Sequence, residues 1–459
     1  MVHTRSKMWH KSFMLILLFF MILSKVGFSE VLNIGLDEAI ALGLRNSSTI
    51  KAKILAVEAA KASLQAARAA RYPTVTTSAS WTHLFDQPKT PDITFDSITI
   101  PGSYAAAKDP VSITATVNQS IYTFGKIKNS IEMAEKNLKL AEIDLEEAKR
   151  SLILQIKRAF YGYILAKEVE RIQKETLAYK EEALEVAKSR YEAGLVPEYE
   201  VLQAESDLEN FRPQVISAEN QVRFALLAVL ELLGIKETEG FDVILKGSLE
   251  AHYYSFDKKE LMNMAIRNRY ELNQLRKSLE LKEIQQRITE ASRRPVVAGF
   301  VSYSLQSGYD SETGKNKYWG KDSWDGDLTL GVSVQMNISS LFPWSAENAN
   351  VVKGKLEIEQ LKQNISGIES SIKISIENAL LKLEEERAKI DSGRKGVDLA
   401  LSLYKSTRER YENGLASSMD LRQAQIGLNN AQMGYITSIY NYKMAVFDLM
   451  EAVGVYEFK

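Results

Sequence analysis

The chain of 459 residues contains no cysteine, which excludes disulfides, thiolate metal sites and thiol chemistry. Histidine is nearly absent too. Of four residues, His3 and His10 fall in the first segment, while His83 and His252 lie far apart without a partner motif. Nine prolines and long Ala/Glu/Lys/Leu stretches favour a mostly helical protein. Net charge is also missing. The chain has 58 basic and 59 acidic residues, so no global electrostatic argument points to nucleic acid. No phosphate-binding glycine loop, dinucleotide fingerprint or nucleophile elbow occurs. Glu384, Glu385 and Glu386, with Arg387 and Lys389, read as a solvated helix face and not as a metal cluster. The chain is therefore expected to be no enzyme and to use no cofactor or metal. Any energy must come from a partner.

Long apolar runs are limited to one, at positions 13–22, preceded by Lys7 and Lys11 and followed by Gly27, Phe28 and Ser29. It is short for a membrane helix and reads as a secretory signal peptide, residues 1–29, with a retained anchor as the alternative. No cysteine follows it, so lipid attachment at an N-terminal cysteine is excluded. No later stretch approaches the ~20 apolar residues of a membrane helix. An exported protein with no helical way to sit in a membrane is expected.

What the chain does have is repetition. Arg190-Tyr191-Glu192-Ala193-Gly194-Leu195 returns as Arg410-Tyr411-Glu412-Asn413-Gly414-Leu415, 220 positions later. Gln203, Ala204, Leu208 and Asn210 return as Gln423, Ala424, Leu428 and Asn430 at that offset. Arg45-Asn46 matches Arg267-Asn268 at an offset of 222. Two structural repeats are expected, residues 30–250 and 251–459, because a large internal repeat usually betrays the architecture.

Within each repeat the apolar spacing is helical. Ile131, Ala134, Leu138, Ala141, Leu145, Ala148 and Leu152 form a heptad seam, which continues after a stutter through Ile156, Ala159, Tyr163 and Ala166. Positions 126–191 and 346–411 each predict an uninterrupted helix about 100 Å long at 1.5 Å per residue. Shorter helices are expected at 36–71, 197–234 and 259–294. Pro213 should kink the second of these, where the other half has Met433. The lengths let the chain run out along a long helix and return along two short ones.

Between the helices lie segments of period two, at about 73–83, 111–121, 295–306 and 327–338. Val111, Ile113, Ala115 and Val117 alternate with Ser112, Thr114, Thr116 and Asn118. Leu328, Leu330, Val332, Val334, Met336 and Ile338 alternate with polar residues, whereas Phe300 and Val296 spoil the pattern in the third segment. An apolar face for lipid and a hydroxyl face for water fit membrane strands. Trp81 at one end, with Tyr122, Phe124, Phe342 and Trp344 at the other, fit the two bilayer interfaces. A soluble sandwich is the alternative. Four strands cannot close around water, and an open edge in lipid leaves backbone groups unpaired. Two copies would give a filled barrel of eight strands, so a trimer with twelve is the smallest assembly with a lumen.

This pattern resembles the TolC-like outer-membrane channel-tunnel family over essentially the whole mature chain. The likeness rests on the duplicated Tyr-x-x-Gly-Leu tips, Pro73 and Pro295 before strands, Tyr122-Thr123-Phe124-Gly125 after the second strand, and Gly234 and Gly454 at helix ends. It implies a mixed α/β membrane protein, mostly α, in which three protomers share one barrel and one antiparallel coiled-coil helical tunnel. It also implies an outer-membrane location in a Gram-negative bacterium, extending into the periplasm. The implied role is the passive exit duct of a tripartite efflux or type I secretion system, joined to an inner-membrane transporter through a periplasmic adaptor. By the same likeness, Glu200, Tyr411 and Asp420 occupy gate positions. Ala416 stands where a basic partner is common and Gln423 where a second acidic ring is common. Phe342-Pro343-Trp344 replaces a Phe-Gly turn.

Gly194 and Gly414 are expected to make tight reversals between antiparallel helices. With Leu195 and Leu415 they form the candidate tip and adaptor-docking surface. The long loops at 87–110 and 307–326 fit the cell exterior. A periplasmic adaptor is the competing reading, but one helical hairpin without paired strands does not explain the duplication. A structural coiled-coil protein is the third.

Overall fold

The computed structural model describes residues 32–96, 98–235, 243–320 and 323–458. The expected signal peptide lies outside the described residues. The first half runs through β1 (Leu32–Ile34), α1 (Leu36–Asn46), α2 (Ser48–Ala69), β2 (Thr74–Trp81), β3 (Ile93–Phe95), β4 (Ile98–Ile100) and β5 (Val111–Tyr122). It continues through α3 (Lys126–Glu192), α4 (Glu198–Glu209), α5 (Arg212–Leu233) and β6 (Val243–Leu245). The second half comprises α6 (Lys258–Asn268), α7 (Tyr270–Ala291), β7 (Val296–Tyr309), β8 (Asn316–Lys317), β9 (Trp324–Gln335), α8 (Ala346–Glu412) and α9 (Ser418–Val453). The long helices α3 and α8 have 67 residues each, one more than their apolar periodicity predicts.

The described residues form two compact units, each drawn from both halves of the sequence. A helical unit combines residues up to Lys53, Leu145–Tyr270 and the chain from Glu369. A sheet unit combines Ile54–Asp144 with Glu271–Ile368.

In the helical unit, β1 and β6 pair in parallel, with Ile34 opposite Leu245. Both are buried, together with Ala39, Val229 and Leu233 and with Ile156 and Phe160 one turn apart on α3. Each such large apolar side chain contributes about 1.5–3 kcal/mol by leaving water. This small sheet was not foreseen, since three-residue strands carry no usable periodicity.

The expected helices at 36–71 and 259–294 are each two helices. Ser47 (φ −52°, ψ 122°) separates α1 from α2, and Arg269 (φ −61°, ψ 122°) separates α6 from α7. The cause is tertiary. The C-terminal ends of α5 and α9 arrive at these breaks with Gly234 and Gly454 at φ +67° and +78°. A Cβ on Gly454 would lie 2.7 Å from Asn268 O. Asn46 Nδ2 donates to Leu233 O at 3.0 Å, and Arg269 Nη1 donates to Ala452 O at 3.0 Å. Carbonyls orphaned at two helix ends thus find partners at the breaks. Pro213 acts as expected. α4 stops at Glu209 and α5 restarts at Arg212, leaving Pro213 in the first turn, where it is tolerated. The matching α9 runs unbroken past Met433.

In the sheet unit the order β2-β5-β7-β9 is antiparallel throughout. Register sorts the side chains onto two faces. Val75, Val117, Val301 and Leu330 share one rung, and Thr77, Ala115, Tyr303 and Leu328 share another. On the opposite face Thr76, Thr116, Ser302 and Thr329 align. The Thr116 and Ser302 hydroxyls are 3.0 Å apart there. Phe300, the exception in the sequence, lies on this polar face opposite Gly331, with its ring over the glycine. An aromatic covering a cross-strand glycine supports a rung that would otherwise lack side-chain contact.

The strand limits differ from expectation. The first spans 74–81, not 73–83, and the second reaches Tyr122 through an irregularity after Ser120. The third spans Val296–Tyr309, beyond 295–306, because Gly308 and Tyr309 pair with β8. The fourth spans Trp324–Gln335, not 327–338. Val296 opposite Gln335 is its last rung. Beyond it β7 offers no partner to Met336, and residues Ile338–Leu341 form a 3₁₀ turn. At its start, Trp324 pairs with Ser307, so backbone bonding carries Asp325-Gly326-Asp327 despite their low strand propensity. Among the described residues, β2 and β9 each pair along one side only, and every residue of β2 is exposed.

Candidate functional site

The tip lies within the helical unit, where α3 and α8 end. Both turns close in the same way. Gly194 N–H donates to Tyr191 O at 2.9 Å and Leu195 N–H to Arg190 O at 2.9 Å. Gly414 N–H donates to Tyr411 O at 3.0 Å and Leu415 N–H to Arg410 O at 2.7 Å. This pair of bonds ends a helix through a left-handed residue. Gly194 and Gly414 adopt φ +71° and +74°, and at Gly194 no atom crowds a would-be Cβ. The glycine is required by backbone conformation, not by space. Leu195 and Leu415 are 69% and 70% exposed, a pair of apolar side chains with no cover from their own chain.

The return helices begin differently. α4 starts after Pro197, which supplies no side-chain cap. α9 starts at a capping box. Ser417 Oγ accepts from Asp420 N–H at 3.2 Å, and Asp420 Oδ2 accepts from Ser417 N–H at 2.9 Å. That backbone bond, reinforced by the Ser417 hydroxyl, holds the Asp420 carboxyl below its ordinary range.

Of the expected gate residues, Glu200 and Tyr411 meet and Asp420 stays with the cap. Tyr411 Oη donates to Glu200 Oε2 at 3.4 Å, a long bond. The Tyr411 ring is buried, and the Arg190 guanidinium sits 4.7 Å from its centre. Arg190 Nη1 also donates to Tyr411 O at 3.1 Å. Burial raises the Tyr411 pKa, and the Glu200 charge adds to the rise. Two turns away, Tyr404 packs against Tyr179 with ring centres 5.0 Å apart. Burial pushes its phenol up to about 12.

A cavity of about 260 Å³ opens between the return helices, lined by Lys180, Glu200, Gln203, Asp207, Tyr411 and Arg422 among others. Arg190, Asp207 and Arg422 were not singled out from sequence. Comparing the halves position by position would have found the last two, since Leu202 and Gly427 stand in their places in the other copy.

The expected interface aromatics lie in the sheet unit. Trp81 ends β2 and Trp324 begins β9, at the same end of the strands. At the other end Tyr122 and Phe124 make an edge-to-face pair at 4.6 Å, and Phe342 stacks on Trp344 at 4.8 Å. Trp81 and Trp344 are 66% and 81% exposed. Among the described residues no helix is long and apolar enough to cross a membrane, and no acidic, histidine or cysteine cluster could hold a metal.

The family model for outer membrane efflux proteins matches residues 39–235 and 261–455. The chain belongs to the outer membrane efflux protein family. Like its family, it is a passive efflux channel of the outer membrane reaching into the periplasm, not an enzyme. Family members act with adaptors and inner-membrane pumps. Nodulation protein T of Rhizobium leguminosarum bv. trifolii is 22% identical over 415 residues, covering 90% of this chain and 84% of that protein. Outer membrane efflux protein BepC of Brucella suis biovar 1 is 19% identical, covering 77% and 76%. The Campylobacter jejuni CmeC outer membrane channel superposes with a TM-score of 0.74 at 19% identity, covering 91% of this chain and 85% of that one. Vibrio cholerae VceC superposes at 0.72 with 16% identity, covering 92% and 97%. The fold of this efflux protein is therefore that of the channel-tunnels.

Proposed function

We propose that three copies of this chain close one twelve-strand barrel through the free edges of β2 and β9. The sheet carries the reading, being apolar on one face, hydroxyl-lined on the other and, among the described residues, unpaired at both outer edges. Backbone groups left open in lipid would cost roughly several kcal/mol each. A neighbouring copy removes that cost by continuing the ladder. Neither competing reading, adaptor or plain coiled coil, accounts for such a sheet.

In this homotrimer the repeats 30–250 and 251–459 each supply one strand hairpin and one out-and-back helical course. Trp81, Tyr122, Phe124, Phe342 and Trp344 meet the interfaces of the outer-membrane lipid. Gly194, Leu195, Gly414 and Leu415 present the docking surface for a periplasmic adaptor, which links the duct to an inner-membrane transporter. The exposed leucines support that role. Glu200 and Tyr411 form a gate contact between the return helix α4 and the end of the long helix α8, and Asp420 serves it by fixing the start of α9.

Extraction should require detergent, run as a heat-dissociable trimer and give discrete conductance steps in planar bilayers. A stable monomer that is soluble without detergent and adds no conductance would overturn the reading.

A further inference from the structure

A second cavity, of about 400 Å³, lies in the helical unit where α1, α3 and α9 meet the segment that follows β6. It is roughly 50 Å along α3 from the tip turn, at 1.5 Å per residue. Lys157 and Tyr161 on α3, Tyr442 and Lys443 on α9, and Tyr254 and Phe458 line it. Both lysines are half-buried. Lys443 Nζ sits 4.4 Å from the centre of the Tyr161 ring and donates no hydrogen bond among the described residues. Lys157 Nζ donates to Tyr456 O at 2.8 Å. Neither lysine makes an ion pair among the described residues. The carboxylates on the same cavity belong to Glu250 and Glu457, both exposed, and Glu250 accepts from the Ser248 hydroxyl at 2.9 Å. Burial lowers the pKa of both lysines. Glu457 and Asp37 oppose that shift at Lys157, and Glu250 opposes it at Lys443. Two ammonium groups thus share a partly dry cavity with most of their donors unspent.

We propose that this cavity binds a small aromatic carboxylate, its anionic head held by Lys157 and Lys443 and its ring against Tyr254 and Phe458. A desolvated charge without a counter-charge is costly, and an entering anion removes that cost. A carboxylate offers one oxygen to each ammonium. The wall is built for a ring. Phe458 packs on Phe256 with centres 4.6 Å apart and on Tyr254 at 6.3 Å. A few polar groups set in an aromatic wall, in a cavity of this volume, are the usual make-up of a small-molecule site. The inference goes beyond the duct reading and does not depend on it. The site occurs once per chain. At the matching positions of the other half stand Glu377 for Lys157, Leu381 for Tyr161 and Arg223 for Lys443. A carboxylate and an aliphatic side chain there cannot make the same cradle.

Isothermal titration of the full-length, detergent-purified protein with benzoate tests the site. Saturable binding of one benzoate per chain is expected. Lys443→Met and Lys157→Met should each weaken it on the order of tenfold, the scale of one lost charge-assisted bond. Lys443→Arg, which keeps the charge, should retain most of the affinity. Benzyl alcohol has the ring without the charge, and inorganic phosphate has the charge without a ring. Both should bind the wild-type protein more weakly than benzoate, a comparison that holds even where a methionine variant fails to fold. Heats that do not saturate, or an affinity unchanged in both methionine variants, would overturn the site. Phosphate binding as tightly as benzoate would overturn the aromatic carboxylate as its ligand. A protein that binds benzoate but gives no conductance would count against the duct and leave this site standing.

Discussion

The two tip turns share a sequence, a hydrogen-bond pattern and a left-handed glycine, yet their surroundings differ. In the first half the turn ends at Pro197 without a cap, Tyr191 is 44% exposed, and the return helix breaks at Asn210 and Phe211. In the second half the turn ends in the Ser417–Asp420 box, Tyr411 is 3% exposed, and the return helix is continuous for 36 residues. Arg190 reaches across to Tyr411, whereas Arg410 bonds Leu415 O of its own turn. The two halves share the turn geometry, which is local. They do not share the contacts, because Tyr411 packs into a core with Tyr404 and Leu421 that Tyr191 does not enter.

The sameness can be attacked first. Gly194→Val and Gly414→Val each force a β-branched residue to φ above +70°, at a cost of roughly 1–3 kcal/mol. Each should abolish export while trimers remain in the membrane. Normal export by either variant would deny that turn its role. An effect of one substitution and not the other would show that the halves differ in function at the turn itself.

The asymmetry of burial has a pH signature. The folded state holds the Tyr404 phenol up to about 12 by burial, against an unfolded value of 10.0. A raised folded value means that its contribution is complete below pH 10 and disappears as the pH rises toward 12. The loss should approach about 2 kcal/mol. The first half has Leu184 at the matching position, which does not titrate. Tyr404→Phe should flatten denaturant midpoints between pH 10 and 12 while leaving the midpoint at pH 8 little changed. An unaltered alkaline slope would count against the buried phenol as its source.

The smallest effect concerns the caps. Ser417→Ala should lower stability by about 1 kcal/mol. Pro197→Ser, which offers the first half a cap, should give a small gain. Equal responses in melting experiments would mean that the box contributes nothing that the uncapped start lacks.

Several elements were legible from residues alone. The long helices were readable to within a residue at their ends, because apolar spacing of three and four continues until a Gly-Leu stop. The alternating strands were readable because successive side chains of a strand point to opposite faces, one apolar and one polar here. Two features were not legible for one reason, namely that a distant segment creates them. Ser47 and Arg269 interrupt good helical sequence because the ends of α5 and α9 arrive there. Asp325-Gly326-Asp327 joins a strand because β7 supplies the ladder. Asp420, expected at the gate, also bonds the hydroxyl and backbone N–H of Ser417, three residues upstream, a local cap that was not read from the sequence.

By itself the sequence determined the two long helices, the strand faces and the two tip turns. Each follows from local periodicity or from backbone preference. Only the tertiary structure decided which tyrosine is buried, which arginine crosses the tip and which acid it meets. These are contacts between residues some 200 positions apart, such as Asp207 and Arg422, and local periodicity carries no record of which side chains meet when two such helices pack.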